Sequence, residues 1–388
     1  MAPAAVRELR VDGLVRADTV LVGAGIAGCA AAHAFAEAGE SVLVLDRAGI
    51  GAGASGRNGG FLFRQPAPWI GELLDEALAW YGALEEKGPI PLELRAWPML
   101  LLAVEEAELD HARAYAEAVG GSEVDPAMDP WLANDLAGGF LVEGGMTLDA
   151  LAATAAAAEA ARRAGARFEL GCEAKRILIG QAGVEGVATD AGIVRCGRVI
   201  VATGPRLRFL LRTAGADLPV SSSRGWLLET GRVDPPPRYA IEQALWPEQE
   251  EMGPLLADPT LGEVAAGAAE EPGLVSLLLG GRPAGHCLIG TSLGRSLLEE
   301  PEGPETVRRL AERAVRVAPH LAGVPVVASW SGRRAMTPDG LPVVGPAGDV
   351  PGLEVIGGLS SIGMITAPGI ARRLASGDYG PFAAERLA

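Results

Sequence analysis

The feature that most constrains this chain is a glycine turn near its start, Gly23-Ala-Gly25-Ile-Ala-Gly28. It follows a short apolar run, Asp18 to Gly23, that lacks polar alternation, as a parallel strand buried on both faces does. The next residues, Ile26 to Ala38, read as a helix closed by Gly39, and Ser41 to Asp46 reads as a second buried strand. Strand, glycine turn, helix and strand make a βαβ unit, and G-x-G-x-x-G in that setting is a dinucleotide fingerprint. Gly23 permits the tight turn, Gly25 lets a pyrophosphate approach the backbone, and Gly28 lets helix and strand pack closely. The helix start offers N–H groups and partial positive charge to phosphate. Asp46 lies 18 residues beyond Gly28, placed to accept hydrogen bonds from an adenosine ribose.

A second glycine-rich loop, Gly51-Ala-Gly-Ala-Ser55-Gly-Arg57-Asn58-Gly59-Gly60, replaces the ordinary βα repeat of a nicotinamide-dependent enzyme. Its backbone can lie flat against a planar ring and a second phosphate, which suits a flavin nucleotide. Helical patterns are predicted over Pro68 to Lys87, Glu105 to Val119, Thr147 to Ala164, Thr306 to Val317 and Ile362 to Ser376. Strands are predicted at Arg167 to Leu170, Arg198 to Ala202 and Leu353 to Gly357, with antiparallel strands between Pro219 and Leu293. Trp330 to Gly345 reads as loop, and Asp234 to Pro272, rich in Pro, Gly and Glu, as a surface excursion.

Composition narrows the partners. A chain of 388 residues with 49% hydrophobic content can bury two cores. Its net charge of −16 argues against nucleic acid as a partner, and no window is apolar enough for an integral membrane span. The first residues carry charges throughout rather than an apolar signal segment. Cys29, Cys172, Cys196 and Cys287 are scattered without metal-ligand spacing. Reduced buried thiols, no metal and a cytoplasmic location are the expectations; a homo-oligomer is left open.

Further blocks carry a resemblance. Val199-Ile-Val-Ala-Thr203-Gly204, the block from Trp330 through Arg334 to Gly345, and Gly357-Gly358-Leu-Ser-Ser-Ile362-Gly363-Met364-Ile365-Thr-Ala-Pro368 resemble, with the N-terminal turn and loop, the D-amino-acid oxidase superfamily of flavoproteins, including glycine oxidase, D-amino-acid dehydrogenase and γ-glutamylputrescine oxidase relatives. The resemblance spans nearly the whole chain. It implies a fold of α/β plus α+β type: a discontinuous Rossmann-like FAD-binding domain (residues 1–90, 146–218 and 330–388) with an inserted antiparallel-sheet substrate domain (91–145 and 219–329).

The resemblance implies FAD contacts at Gly23, Gly25, Ile26, Ala27, Gly28, Asp46, Arg47, Ser55, Arg57, Asn58, Gly59, Gly60, Ala174, Thr203, Gly204, Gly358, Ile362, Gly363, Met364 and Ile365. Of these, Ala174 would meet the adenine through its backbone, and Gly363 and Met364 the flavin pyrimidine edge. Arg334 falls where the family binds a substrate carboxylate. The family's assisting tyrosine is replaced by Leu278. Gly332 stands where a cysteine would attach the flavin covalently, so the FAD is expected to be non-covalent. The implied reaction is oxidation of the C–N bond of an amino acid or N-substituted amine by hydride transfer to the flavin, giving an imine that hydrolyses. A flavin-dependent 2-hydroxy-acid dehydrogenase and the FAD subunit of a hetero-oligomeric amine dehydrogenase remain as alternatives. Trp226, Tyr239 and Trp246 are candidates either for the pocket or for the core.

Overall fold

The computed structural model describes residues 17–244, 274–295 and 304–387. The N-terminal βαβ unit forms as β1 (Thr19–Val22), α1 (Ile26–Glu37) and β2 (Val42–Asp46). Both strands are apolar because both of their faces are covered. They sit inside a six-stranded sheet whose order is Val343–Pro346, Leu353–Gly357, Arg198–Val201, β1, β2, Arg167–Leu170. All its pairings are parallel except that of Val343–Pro346 with Leu353–Gly357. On one face α1 packs with helices Ala150–Arg163, Pro68–Lys87 and Gly363–Ser376 in a continuous apolar core. The alanine-rich composition of α1 and Ala150–Arg163 lets these helices come close. Tyr81, fully buried, donates its hydroxyl to the Met364 carbonyl at 2.9 Å and ties the closing helix to the core.

A three-stranded antiparallel sheet (Ala174–Gly180, Gly183–Thr189, Ile193–Arg195) packs into the core on the other side. The largest sheet has eight strands in the order Val326–Met336, Ser221–Arg232, His286–Arg295, Leu274–Gly281, Ala240–Gln243, Met99–Ala103, Gly138–Val142, Ser122–Val124. It is antiparallel except between Ala240–Gln243 and Met99–Ala103. One face is covered by helix Pro304–Val317 and includes buried Trp226, Leu228 and Ile289. The other face looks toward the glycine loop.

Two sequence expectations change here. Trp330 to Gly345 is not a loop throughout: Val326–Met336 is an edge strand paired along Ser221–Arg232, and Val343–Pro346 is a second strand. Gly332, Pro338 and Gly340 imitate loop composition, and the small and cationic residues from Ser331 to Arg334 hide the alternation. The expected domain boundary at 329/330 falls inside this strand. Within the supposed excursion, Ala240–Gln243 is an internal strand; residues 245–273, and Trp246 with them, lie outside the described residues. The four cysteines are free and buried, and among the described residues no cluster could hold a metal and no helix is long and apolar enough to cross a membrane.

Candidate active site

One continuous cavity of about 880 Å³ runs from the C-terminal ends of β1 and β2 to the face of the eight-stranded sheet. This is the crevice where open α/β sheets bind ligands. Every residue of the expected FAD set except Gly28 lines it, as does Arg334. A β-carbon on Gly28 would overlap the Gly23 carbonyl, so its part is to let α1 pack on the turn. Gly23 itself has φ of 117° and lies against the Ala202 backbone, a position open only to glycine.

The turn is braced by the loop. Ser55 Oγ accepts the Ile26 N–H at 2.9 Å, and the hydroxyl proton remains available to an anion at the start of α1. Gly25, the N-cap, contributes no side chain there. The Asp46 carboxylate accepts three backbone N–H groups: Ala24 at 2.8 Å, Ala48 at 2.8 Å and Gly49 at 2.9 Å. A carboxylate has about four lone-pair sites, so Asp46 both organises the turn and keeps capacity for a ribose hydroxyl. Asn58 donates to the Ala54 and Ser55 carbonyls, both at 3.0 Å, and accepts from Gly60 N–H at 2.9 Å. Its amide is thus committed to holding the glycine loop in shape. Arg57 is exposed and donates to the Ser331 carbonyl at 3.3 Å, joining the loop to the large sheet.

Two observations fit a dinucleotide. The N-termini of α1 and of Gly363–Ser376 both open onto the cavity, with no side-chain cap on their N-cap residues and no acidic residue in their first turns. Thr203 Oγ1 is buried at the cavity wall without a hydrogen-bond partner among the described residues, so a bound ligand would satisfy it.

At the far end lies Arg334. Its Nη1 donates to the Ser292 carbonyl at 3.0 Å and its Nη2 to Thr291 Oγ1 at 2.7 Å. Among the described residues no carboxylate pairs with it. Burial pulls its pKa down to about 10, which leaves it cationic at neutral pH. The guanidinium rests on Gly225, directly paired with Gly332 on the neighbouring strand; a β-carbon on Gly225 would lie 2.5 Å from Nη1. Gly225→Ala is therefore expected to push the guanidinium off its two acceptors. Losing charge-assisted hydrogen bonds worth ~1.5–3 kcal/mol each should raise KM for a carboxylate substrate by roughly tenfold or more. FAD content should not change, and the absorbance ratio of flavin to protein checks that.

Phe61 and Phe63, whose rings lie 5.5 Å apart, line the same cavity as Leu227, Leu278 and Arg334. Neither phenylalanine is evident as a site residue in the sequence, although the alternation Phe61-Leu62-Phe63 after the glycine loop puts both on one face. Trp226 and Tyr239 instead belong to the core beneath the sheet. Glu242, inside the segment read as an excursion, also lines the cavity. Burial raises its pKa from the ordinary 4.5 to about 7.

Comparison with known proteins gives the family and the fold. The FAD dependent oxidoreductase family model (DAO) matches residues 18–376. The chain is 27% identical over 376 residues to 4-methylaminobutanoate oxidase (formaldehyde-forming) of Paenarthrobacter nicotinovorans, covering 92% of this chain and 43% of that protein. It thus spans less than half the length of that relative. It is 26% identical over 399 residues to a glycine oxidase of Geobacillus kaustophilus, covering 96% and 97% of the two chains. The crystal structure of glycine oxidase from Geobacillus kaustophilus superposes with a TM-score of 0.80 at 24% identity, over 96% of this chain and 99% of that one. The chain belongs to the DAO family of FAD dependent oxidoreductases.

Proposed function

We propose that this protein oxidises the C–N bond of an amino acid, or of an N-substituted amine that carries a carboxylate. The observation that carries the reading is Arg334: a cationic fork on the wall of the cavity with no carboxylate partner among the described residues. Such a group in a low-dielectric wall calls for an anionic ligand. The two oxidases compared above are named for glycine and 4-methylaminobutanoate, each of which contains one amine and one carboxylate.

FAD would be held at the starts of α1 and Gly363–Ser376, at Asp46, and along the loop from Ser55 to Gly60. When bound it supplies the hydride acceptor. Arg334 takes the substrate carboxylate and so fixes the direction in which the α-hydrogen points. Thr291 and Ser292 hold the guanidinium still. Phe61, Phe63, Leu227 and Leu278 would give the substrate an apolar surface on the cavity wall. Leu278 contributes no hydroxyl to the carboxylate, so Arg334 carries that contact.

FAD binding is non-covalent in this reading, because Gly332 offers no thiol and Cys172, on the cavity wall beside Ala174, is a buried thiol whose pKa is raised. Acid precipitation should release all the yellow colour into the supernatant; colour kept in the pellet contradicts it. The reaction itself is tested by product analysis of the purified chain. Release of ammonia or a free amine together with a carbonyl compound supports the proposal. Turnover of 2-hydroxy acids with no nitrogen product supports the hydroxy-acid alternative.

A further inference from the structure

Glu242 lies on the strand Ala240–Gln243, paired with Leu278 on one side and Leu101 on the other. Directly paired residues share a face of the sheet, and Glu242 and Leu278 both line the cavity. The flanking strands, Met99–Ala103 and Leu274–Gly281, carry no ionisable side chain. The covering helix Leu109–Val119 carries Asp110, His111, Arg113, Tyr115 and Glu117; part-buried His111 and Tyr115 share one face of it, and the Tyr115 hydroxyl donates to the Arg64 carbonyl at 3.0 Å. Burial, and then the charge of Glu242, keep that phenol un-ionised. No hydrogen bond or ion pair reaches the Glu242 carboxylate from another described residue. A lone carboxylate in an apolar wall costs stability, and groups so placed concentrate at functional sites.

Its position relative to Arg334 gives it a use. The guanidinium is held by Thr291 and Ser292 on His286–Arg295, two strands from Ala240–Gln243 in the sheet order. Two strand spacings are about 10 Å between backbones, and Glu242 and Arg334 line the same cavity. Among the described residues the other acidic residues on the cavity wall, Asp46 and Glu173, stand at the opposite end, near the glycine turn and Ala174.

We propose that Glu242 receives the cationic nitrogen of the substrate, so that the site selects molecules that present an ammonium to Glu242 and a carboxylate to Arg334. The inference rests on the carboxylate reading of Arg334. It makes the site a receiver of zwitterions rather than of simple carboxylates or simple amines, and it separates amino acids from 2-hydroxy acids by charge.

The test compares two achiral ligands of one skeleton, 2-methylpropanoate and 2-aminoisobutyrate. The second has no α-hydrogen to transfer, so binding is read without turnover, as perturbation of the flavin absorbance of the holoprotein. At pH 8 the wild-type protein should bind 2-aminoisobutyrate roughly tenfold or more tightly than 2-methylpropanoate. The preference should fade below pH 7 as Glu242 gains its proton. Glu242→Gln should bind the two ligands within about twofold at every pH, and Glu242→Asp should keep part of the preference. The Gln variant carries no charge into the apolar wall and is expected to fold. An acid whose folded pKa is raised adds stability that is present at low pH and lost as pH rises through about 7. The Gln variant should therefore melt at or above the wild-type temperature at pH 8. A preference that survives in Glu242→Gln, or is missing from the wild type, overturns the proposal. Failure of the Arg334 reading shows separately, as unchanged binding of 2-methylpropanoate by Arg334→Ala.

Discussion

Arg334→Ala is expected to lower kcat/KM for a carboxylate-bearing amine by roughly 30-fold to several thousand-fold, because truncating one member of a buried charge pair costs about 2–5 kcal/mol. The guanidinium is already aimed: the Ser292 carbonyl and Thr291 hydroxyl hold its Nη atoms, and Gly225 gives it a flat seat. In the proposed reading a substrate carboxylate meets a cation that needs little reorganisation. FAD content should stay near that of the wild type, since the side chain lies at the sheet end of the cavity and not at the glycine turn. Arg334→Lys should recover little, because an ammonium cannot reproduce a planar two-pronged contact. Amines without a carboxylate serve as the control and should barely notice the change. Steady-state kinetics with a matched pair of substrates decides it. Unchanged turnover of the carboxylate substrate would place the anchor elsewhere, and loss of flavin would make Arg334 a cofactor residue.

Gly25→Val is expected to yield a colourless protein. A β-carbon at Gly25 would lie 3.0 Å from Ser55 Oγ, the atom that accepts the Ile26 N–H. The valine would fill the space in front of the first turn of α1 and displace both Ser55 and any phosphate there. The rest of the βαβ unit makes no close contact with that position, so the chain should still fold. Its melting temperature should fall, because a tightly bound cofactor stabilises the native state by mass action, by about 4 kcal/mol at a thousandfold excess over Kd. Flavin-to-protein absorbance and a melting curve check both parts. Full flavin content in the variant would show that the pyrophosphate does not lie against Gly25.

The difference between what was and was not legible follows from locality. The turn from Gly23 to Gly28, the strands around it and the loop from Ser55 to Gly60 depend on spacing within a few dozen residues, so the sequence displays them directly. Arg334 was reachable only through the block around it. Gly225, Thr291, Ser292 and Glu242 are not reachable from the sequence, because the roles proposed for them arise when strands distant in sequence become neighbours in one sheet. Gly225 matters because the paired strand brings Arg334 over it. Glu242 was hidden by the Pro- and Glu-rich residues that follow it, which resemble solvated chain. The edge strand Val326–Met336 does not show in the sequence for a related reason: much of it is only part-buried, so it lacks the apolar signature of an internal strand.

The most direct measurement is an anaerobic titration of the purified yellow protein with a panel of D- and L-amino acids and N-methyl amino acids. The flavin band should bleach with the best substrate, and one equivalent of ammonia or free amine should be released, after hydrolysis, for each equivalent of flavin reduced. Bleaching by 2-hydroxy acids but by no amine, or bleaching without release of nitrogen product, would contradict the assignment of C–N oxidation to this site.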